Sequence, residues 1–181
     1  MNPPRNDLLL LVGKVLTLLI QGVMGLAVAV ITLCIPAVAL FQGSINANSI
    51  VEFGPDAVPI PVLSVMALLA CALIVVLLVF LFFGKLRGII DTVAAGDPFV
   101  PDNADRLSVM GWLQIGIYLA SLATAGAAAH LGSWLSQYTD VKVDASVDVD
   151  VPSILLVIIL FILARVFRQG AAMRDDLEGT V

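Results

Sequence analysis

No charged residue lies between Lys14 and Glu52, and the apolar part of that run extends from Val15 to Phe41. A helix crosses the hydrocarbon of a bilayer with about 20 mainly apolar residues, each adding about 1.5 Å. The run therefore reads as a membrane span. It exceeds the roughly 7–15 residues of a cleavable signal core. Ile31, Thr32 and Leu33, ahead of Cys34, lack the small residue that a lipoprotein cleavage site wants. Three further runs follow: Pro61 to Phe83, Leu107 to about Trp134, and Pro152 to Ala164. The last reaches spanning length when Arg165 and Arg168 snorkel to the surface. The reading is one membrane domain with spans at about 15–41, 61–83, 107–134 and 152–170. Outer loops 42–60 and 135–151, an inner loop 84–106 and an inner tail 171–181 complete it.

Composition excludes the main alternatives. The chain is 60% hydrophobic and 13% charged, with a mean hydropathy of +1.07. Soluble domains run at about 45–50% and about 25%. An ordinary cytosolic enzyme and a disordered chain are both disfavoured. A net charge of −5 argues against direct nucleic-acid binding, which needs a basic face. Cys34 and Cys71 lie in apolar runs and read as small buried hydrophobes, and the single histidine, His130, leaves no Cys/His metal spacing.

Orientation follows from Lys and Arg. Arg5, Lys14, Lys85, Arg87, Arg106, Arg165, Arg168 and Arg174 fall on one side, and only Lys142 on the other. Both termini are therefore expected in the cytoplasm. Glu52, Asp56, Asp140, Asp144, Asp148 and Asp150 put the net charge outside. The fold class expected is all-α and integral to the membrane: a four-transmembrane-helix bundle with a small β-like outer cap.

That cap is read from period two. Ile45, Ala47, Ser49, Val51 and Phe53 alternate in the first outer loop, and valines (with Ala145) alternate with polar residues from Asp140 to Val151. The acidic face fits either a calcium site or a solvated strand edge. On the inner side, Leu86, Ile89, Ile90 and Val93 keep helical spacing beyond span two, as an interfacial seat or a partner surface. Gly96 is placed to end that helix, and Asp97-Pro98 to turn the chain. Asp102 is expected as the N-cap of span three, with Asp105 in the capping-box position. Span four is expected to continue as a helix to about Glu178. Arg168 or Arg174 could pair with Asp102 or Asp105, at about 0–1 kcal/mol.

Within the membrane, Gln21 and Gln114 sit at similar heights, about 10–12 Å from the inner boundary. They are a candidate intramembrane polar pair, or part of a polar path. Ala120, Thr124, Ala128 and Gly132 form a small-residue face, for packing within one bundle or a homo-oligomer interface. Pro36 is expected to bend span one, and Pro61 and Pro152 to start helices. His130, about 36 Å along the axis from Arg106, reads with Trp134 and Tyr138 as an aromatic belt or as a pH sensor. Catalytic, cofactor-binding and metal residues are not expected: no acidic residue falls inside a span, and no hydroxyl has an activating neighbour.

Two stretches carry a resemblance. Gly96-Asp-Pro-Phe-Val-Pro-Asp-Asn-Ala-Asp-Arg-Leu-Ser-Val-Met-Gly-Trp112 is one, and Phe167-Arg-Gln-Gly-Ala-Ala-Met-Arg-Asp-Asp-Leu-Glu-Gly-Thr-Val181 the other. Together they resemble a bacterial domain-of-unknown-function family of four-span membrane proteins (family 2975 type). Its members share a Gly-x-Pro-Phe…Asn…Arg-Leu…Gly-Trp loop and often an Arg-x-Gly…Asp-x-Glu-Gly-Thr-Val end. Genes of this family often neighbour one for a small helix-turn-helix regulator. The resemblance thus implies a membrane protein that binds a cytoplasmic transcription regulator. Phe99, Asn103, Arg106, Arg168, Arg174, Asp176 and Glu178 become the candidate partner-binding residues, with Phe99 either anchoring a partner or tucking back under the bundle.

The expectation is a non-enzymatic multi-pass protein, partnered by membrane lipid and a cytoplasmic regulator. Two rivals stand beside it. One is a small transporter or channel component acting as an oligomer. The other is an envelope sensor using the acidic outer strand.

Overall fold

The computed structural model describes residues 8–53, 58–138 and 151–178. They form five helices: α1 (Leu8–Leu40), α2 (Gln42–Phe53), α3 (Val62–Ala94), α4 (Pro101–Leu135) and α5 (Val151–Glu178). Four of these, all but α2, are long and apolar enough to cross a membrane. Their surfaces agree with that reading. Leu9 is 79% exposed and Leu63 82%, with many large aliphatic side chains between. A water-soluble monomer rarely shows a contiguous apolar surface of this extent; in a bilayer, acyl chains cover it. Cys34 is exposed and Cys71 half-buried, so neither is the buried hydrophobe anticipated.

The first outer segment is helical. Ile45, Ala47, Ser49, Val51 and Phe53 lie in α2, which corrects the β-like cap expected there. The physical reason is hydrogen-bond supply. A strand needs a neighbour for its N–H and C=O groups, whereas a helix satisfies them within the segment. Phe41 N donates to Ala37 O and Ile45 N to Phe41 O, so helical bonding runs on from α1 into α2. The second expected strand, 140–151, lies outside the described residues apart from Val151, which opens α5. Among the described residues there is no strand.

The chain divides into two compact units. Within the described residues, the first takes 8–25, 78–116 and 151–178. Its core is Ile89 from α3, Leu107 and Met110 from α4, and Leu160 and Ala164 from α5. Phe82, Leu86, Val93 and Phe167 pack around it. Ile89 of the apolar face on α3 is therefore used for helix packing, with Leu86 and Val93 partly buried beside it. Lipid tails are as apolar as leucine, so van der Waals contact at close range must hold such helices together. Gly111 supplies one such approach: a Cβ there would stand 2.9 Å from the Phe161 ring. Lys14 Nζ meets Asp91 Oδ1 at 2.7 Å and ties α1 to α3.

The second unit takes 26–53, 58–77 and 117–138. Its polar contacts gather around the entry to α3. Val58 N donates to the Tyr138 hydroxyl at 2.6 Å, Trp134 Nε1 donates to Val58 O at 3.3 Å, and Ile60 N donates to Asn46 Oδ1 at 3.2 Å. His130 Nδ1 and Ser64 Oγ lie 2.9 Å apart. Ser64 N and Val65 N both donate to Pro61 O, so Pro61 sits at a helix start as expected.

Gly96 ends α3 as the sequence anticipates. Its φ is 84°, in the left-handed region. Gly96 N donates to Val93 O at 3.0 Å and Asp97 N to Thr92 O at 3.1 Å, the paired bonds of a Schellman cap. Gly96→Ala is expected to lower stability by about 1–2 kcal/mol, the strain of a Cβ in that conformation, with Gly96→Asn milder. Denaturant titration in detergent, followed by circular dichroism, reads both.

Candidate functional site

The chain reverses between α3 and α4 in six residues, Ala95 to Val100, and what they join is polar. Asn103, in the first turns of α4, is 0% exposed. Its side-chain amide donates to Thr92 Oγ1 at 2.7 Å and to Pro98 O at 2.9 Å. Its carbonyl accepts from Arg106 Nη1 at 2.8 Å. The same Nη1 donates to Gly88 O at 3.1 Å, while the Thr92 hydroxyl donates to Ile89 O at 2.8 Å. The network returns to the α3 backbone at both ends. A buried amide of this kind is tolerable only when its donors and acceptor are all used.

Arg106 requires Gly88. A Cβ at Gly88 would lie 3.0 Å from Arg106 Nε and 3.2 Å from Cζ, so the guanidinium crosses α3 where that helix is bare. Arg106 Nη2 stands 3.7 Å from Asp102 Oδ2, an ion pair rather than a hydrogen bond. This corrects the expected capping box. Helix α4 already begins at Pro101, whose fixed φ suits a first helical position. Asn103 N donates to Val100 O at 3.0 Å. Asp102 thus lies in the first turn, favourably near the positive end of the helix dipole, and Asp105 faces elsewhere.

Helix α5 closes over the reversal. Asp105 Oδ1 meets Arg168 Nη2 at 3.1 Å, one of the links anticipated. Arg174 pairs with Asp97 in the loop. Phe99 lies on Gly170, where a Cβ would stand 2.7 Å from its ring. Its ring centroid is 5.4 Å from that of Phe167. The two separated motifs of the sequence meet here.

The candidate partner-binding residues therefore divide. Asn103 is enclosed, and Arg106 is mostly spent on α3. Phe99 remains 43% exposed despite its seat. Arg168 and Asp105 keep side-chain exposures of 63% and 76%. Arg174 is half exposed and Asp176 is exposed at the end of α5. Glu178 is the last residue of α5, and its side chain lies outside the described set. An open groove of about 250 Å³ runs among Pro101, Asp105, Arg168, Ala171, Ala172 and Asp175.

The glutamines behave differently. Gln21 Nε2 lies 3.1 Å from where a Cβ on Gly84 would be, so its amide rests on α3. Gln114 is half-buried on α4, and among the described residues no hydrogen bond joins the two. Thr92, Gly88 and Asp97 belong to the site, although sequence reading passed them over as ordinary helix and turn residues.

No curated protein and no solved structure matches the chain. A family model does match residues 46–181, which include both motifs and helices α3 to α5. The chain belongs to the family described as "Protein of unknown function (DUF2975)".

Proposed function

We propose that the chain is a non-enzymatic protein of a bacterial inner membrane, with both termini in the cytoplasm, that docks a small helix-turn-helix regulator. The docking surface would be the α3–α4 reversal together with the end of α5. The observation that carries the reading is convergence. Residues from two separated motifs, Gly96–Trp112 and Phe167–Val181, assemble around Phe99, Asp105 and Arg168, and all three stay accessible. The buried Asn103 network holds that surface in place. An aromatic side chain framed by charged groups is the type of anchor that dominates protein interfaces. The sidedness rests on the eight of nine Lys and Arg at one end of the spans.

Phe99→Ala and Arg168→Ala are each expected to cut recovery of the regulator by about tenfold or more. The membrane level of Arg168→Ala should equal that of the parent, since an exposed ion pair contributes only about 0–1 kcal/mol to folding, and Arg168→Ala is therefore the variant in which loss of capture reads as a lost contact. The readout is a mild-detergent pull-down quantified by mass spectrometry, with a fluorescent C-terminal fusion reporting sidedness. Full recovery of the regulator by both variants, or of no DNA-binding protein by the parent, rejects the proposal.

A further inference from the structure

In the first unit, α3 and α4 leave a second open groove of about 270 Å³, lined by Lys85, Asp102, Asp105, Arg106 and Val109. We propose that this groove seats the headgroup of a phospholipid with a primary amine, of the phosphoethanolamine type. Its phosphate would lie on Lys85 and Arg106 and its ammonium on Asp102. One acyl chain would follow the apolar track below.

Charge balance selects this ligand. The lining holds two cations and two carboxylates. Asp105 is taken by Arg168 at 3.1 Å, while Asp102 is 78% exposed and meets only the 3.7 Å approach of Arg106. Lys85 makes no ion pair or hydrogen bond among the described residues. Arg106 is fixed from behind. Its Nη1 is committed to Gly88 O and Asn103 Oδ1, which holds the guanidinium at the groove wall. A preorganised guanidinium with a neighbouring lysine suits phosphate, and a free carboxylate beside them suits an ammonium. A choline headgroup carries no N–H to donate. A purely anionic headgroup would leave Asp102 facing like charge.

The track is equally specific. On α4, Val109 and Trp112 follow Asp105 at helical spacing; on α3, Leu81 precedes Lys85 by one turn. They are 39%, 67% and 49% exposed. Trp112 is braced edge-on by Phe161, with ring centroids 5.7 Å apart. An exposed tryptophan about two turns along the helix from charged residues is a side chain expected near the interface of a bilayer. The groove shares Asp105 with the docking surface, but its test reads Lys85 and Asp102, not Phe99 or the α5 end.

Trp112 also reports the site. The chain has two tryptophans, so Trp134→Phe leaves Trp112 as the single fluorophore. The protein is reconstituted in phosphatidylcholine vesicles with brominated acyl chains on phosphatidylethanolamine, phosphatidylcholine or phosphatidylglycerol, at equal mole fraction. Brominated phosphatidylethanolamine should show roughly threefold stronger effective quenching than either other lipid. Lys85→Gln and Asp102→Asn should each abolish that excess. Equal quenching by all three lipids overturns the proposal. So does strongest quenching by phosphatidylglycerol, or an excess that survives both substitutions. Native mass spectrometry of the chain with both tryptophans present gives a second measurement: phosphatidylethanolamine retained by the parent and lost from Asp102→Asn supports the site, and equal retention rejects it.

Discussion

Asn103→Leu is expected to lower the unfolding free energy by about 3–5 kcal/mol, the largest loss from any single polar substitution in the first unit. The leucine fits the volume but makes none of three bonds. It strands the Pro98 carbonyl, removes the acceptor for Arg106 Nη1, and takes the donor from Thr92 Oγ1. A neutral buried group left without a partner costs about 1–3 kcal/mol, and a charged one more. Asn103→Asp should fare little better. It keeps an acceptor for Arg106 but turns a carboxylate oxygen on the Pro98 carbonyl, 2.9 Å from where the amide nitrogen stood. Thr92→Val is the graded control at about 1 kcal/mol, since Asn103 then keeps two of its three partners. Unfolding in mixed micelles, followed by circular dichroism, ranks the three. If Thr92→Val proves as harmful as Asn103→Leu, or Asn103→Leu costs nothing, the network does not hold the reversal.

This ranking bears on the docking proposal. Asn103 is fully enclosed, so a loss of partner capture in Asn103→Leu would report a disturbed platform, not a missing contact. Arg168, exposed and held only by a surface ion pair, is the position at which capture and folding separate.

The membrane spans were legible because charge-free runs of that length have few other uses. The Gly96 stop was legible because glycine ahead of Asp-Pro is local chemistry. The end of α5 at Glu178 followed in the same way. The miss at α2 arose because nine residues of alternation give a weak period, and the decisive matter of who supplies a strand's partner is not local. Asp102 looked like a cap because its side chain suits one; Pro101, one residue earlier, suits the first helical position better and took the start of α4. The glutamine pairing failed on azimuth. Axial height can be counted along a sequence, but the rotation that sets Gln21 against Gly84 depends on how α1 and α3 pack. Thr92 and Gly88 were invisible for a related reason. A helical threonine and a helical glycine acquire their roles only when α4 folds back and brings Asn103 and Arg106 against them.

Gly111→Leu is the expected counterpart on the apolar side. A Cβ at Gly111 already stands 2.9 Å from Phe161 Cζ and 3.1 Å from both ring Cε atoms. Alanine there is a contest. The gain in helix propensity is about 1 kcal/mol in soluble hosts, and the overpacking cost is about 1–3 kcal/mol, so Gly111→Ala should lose little. Leucine removes the ambiguity, because a branched side chain must occupy the volume of the Phe161 ring. Helices α4 and α5 must then separate, or Phe161 must leave its edge-on contact with Trp112. Either change exposes the neighbouring core of Met110, Leu160 and Ala164. The expected loss is about 3 kcal/mol. The diagnostic measurement is rescue. Gly111→Leu with Phe161→Ala roughly restores the total volume, and volume-conserving exchanges usually cost less than about 1.5 kcal/mol. The double variant should therefore unfold later than Gly111→Leu alone in the same micelle titration. A double variant no more stable than the single one would mean that close contact between α4 and α5 at this level does not limit stability. Near-parental stability of Gly111→Leu alone would mean the same.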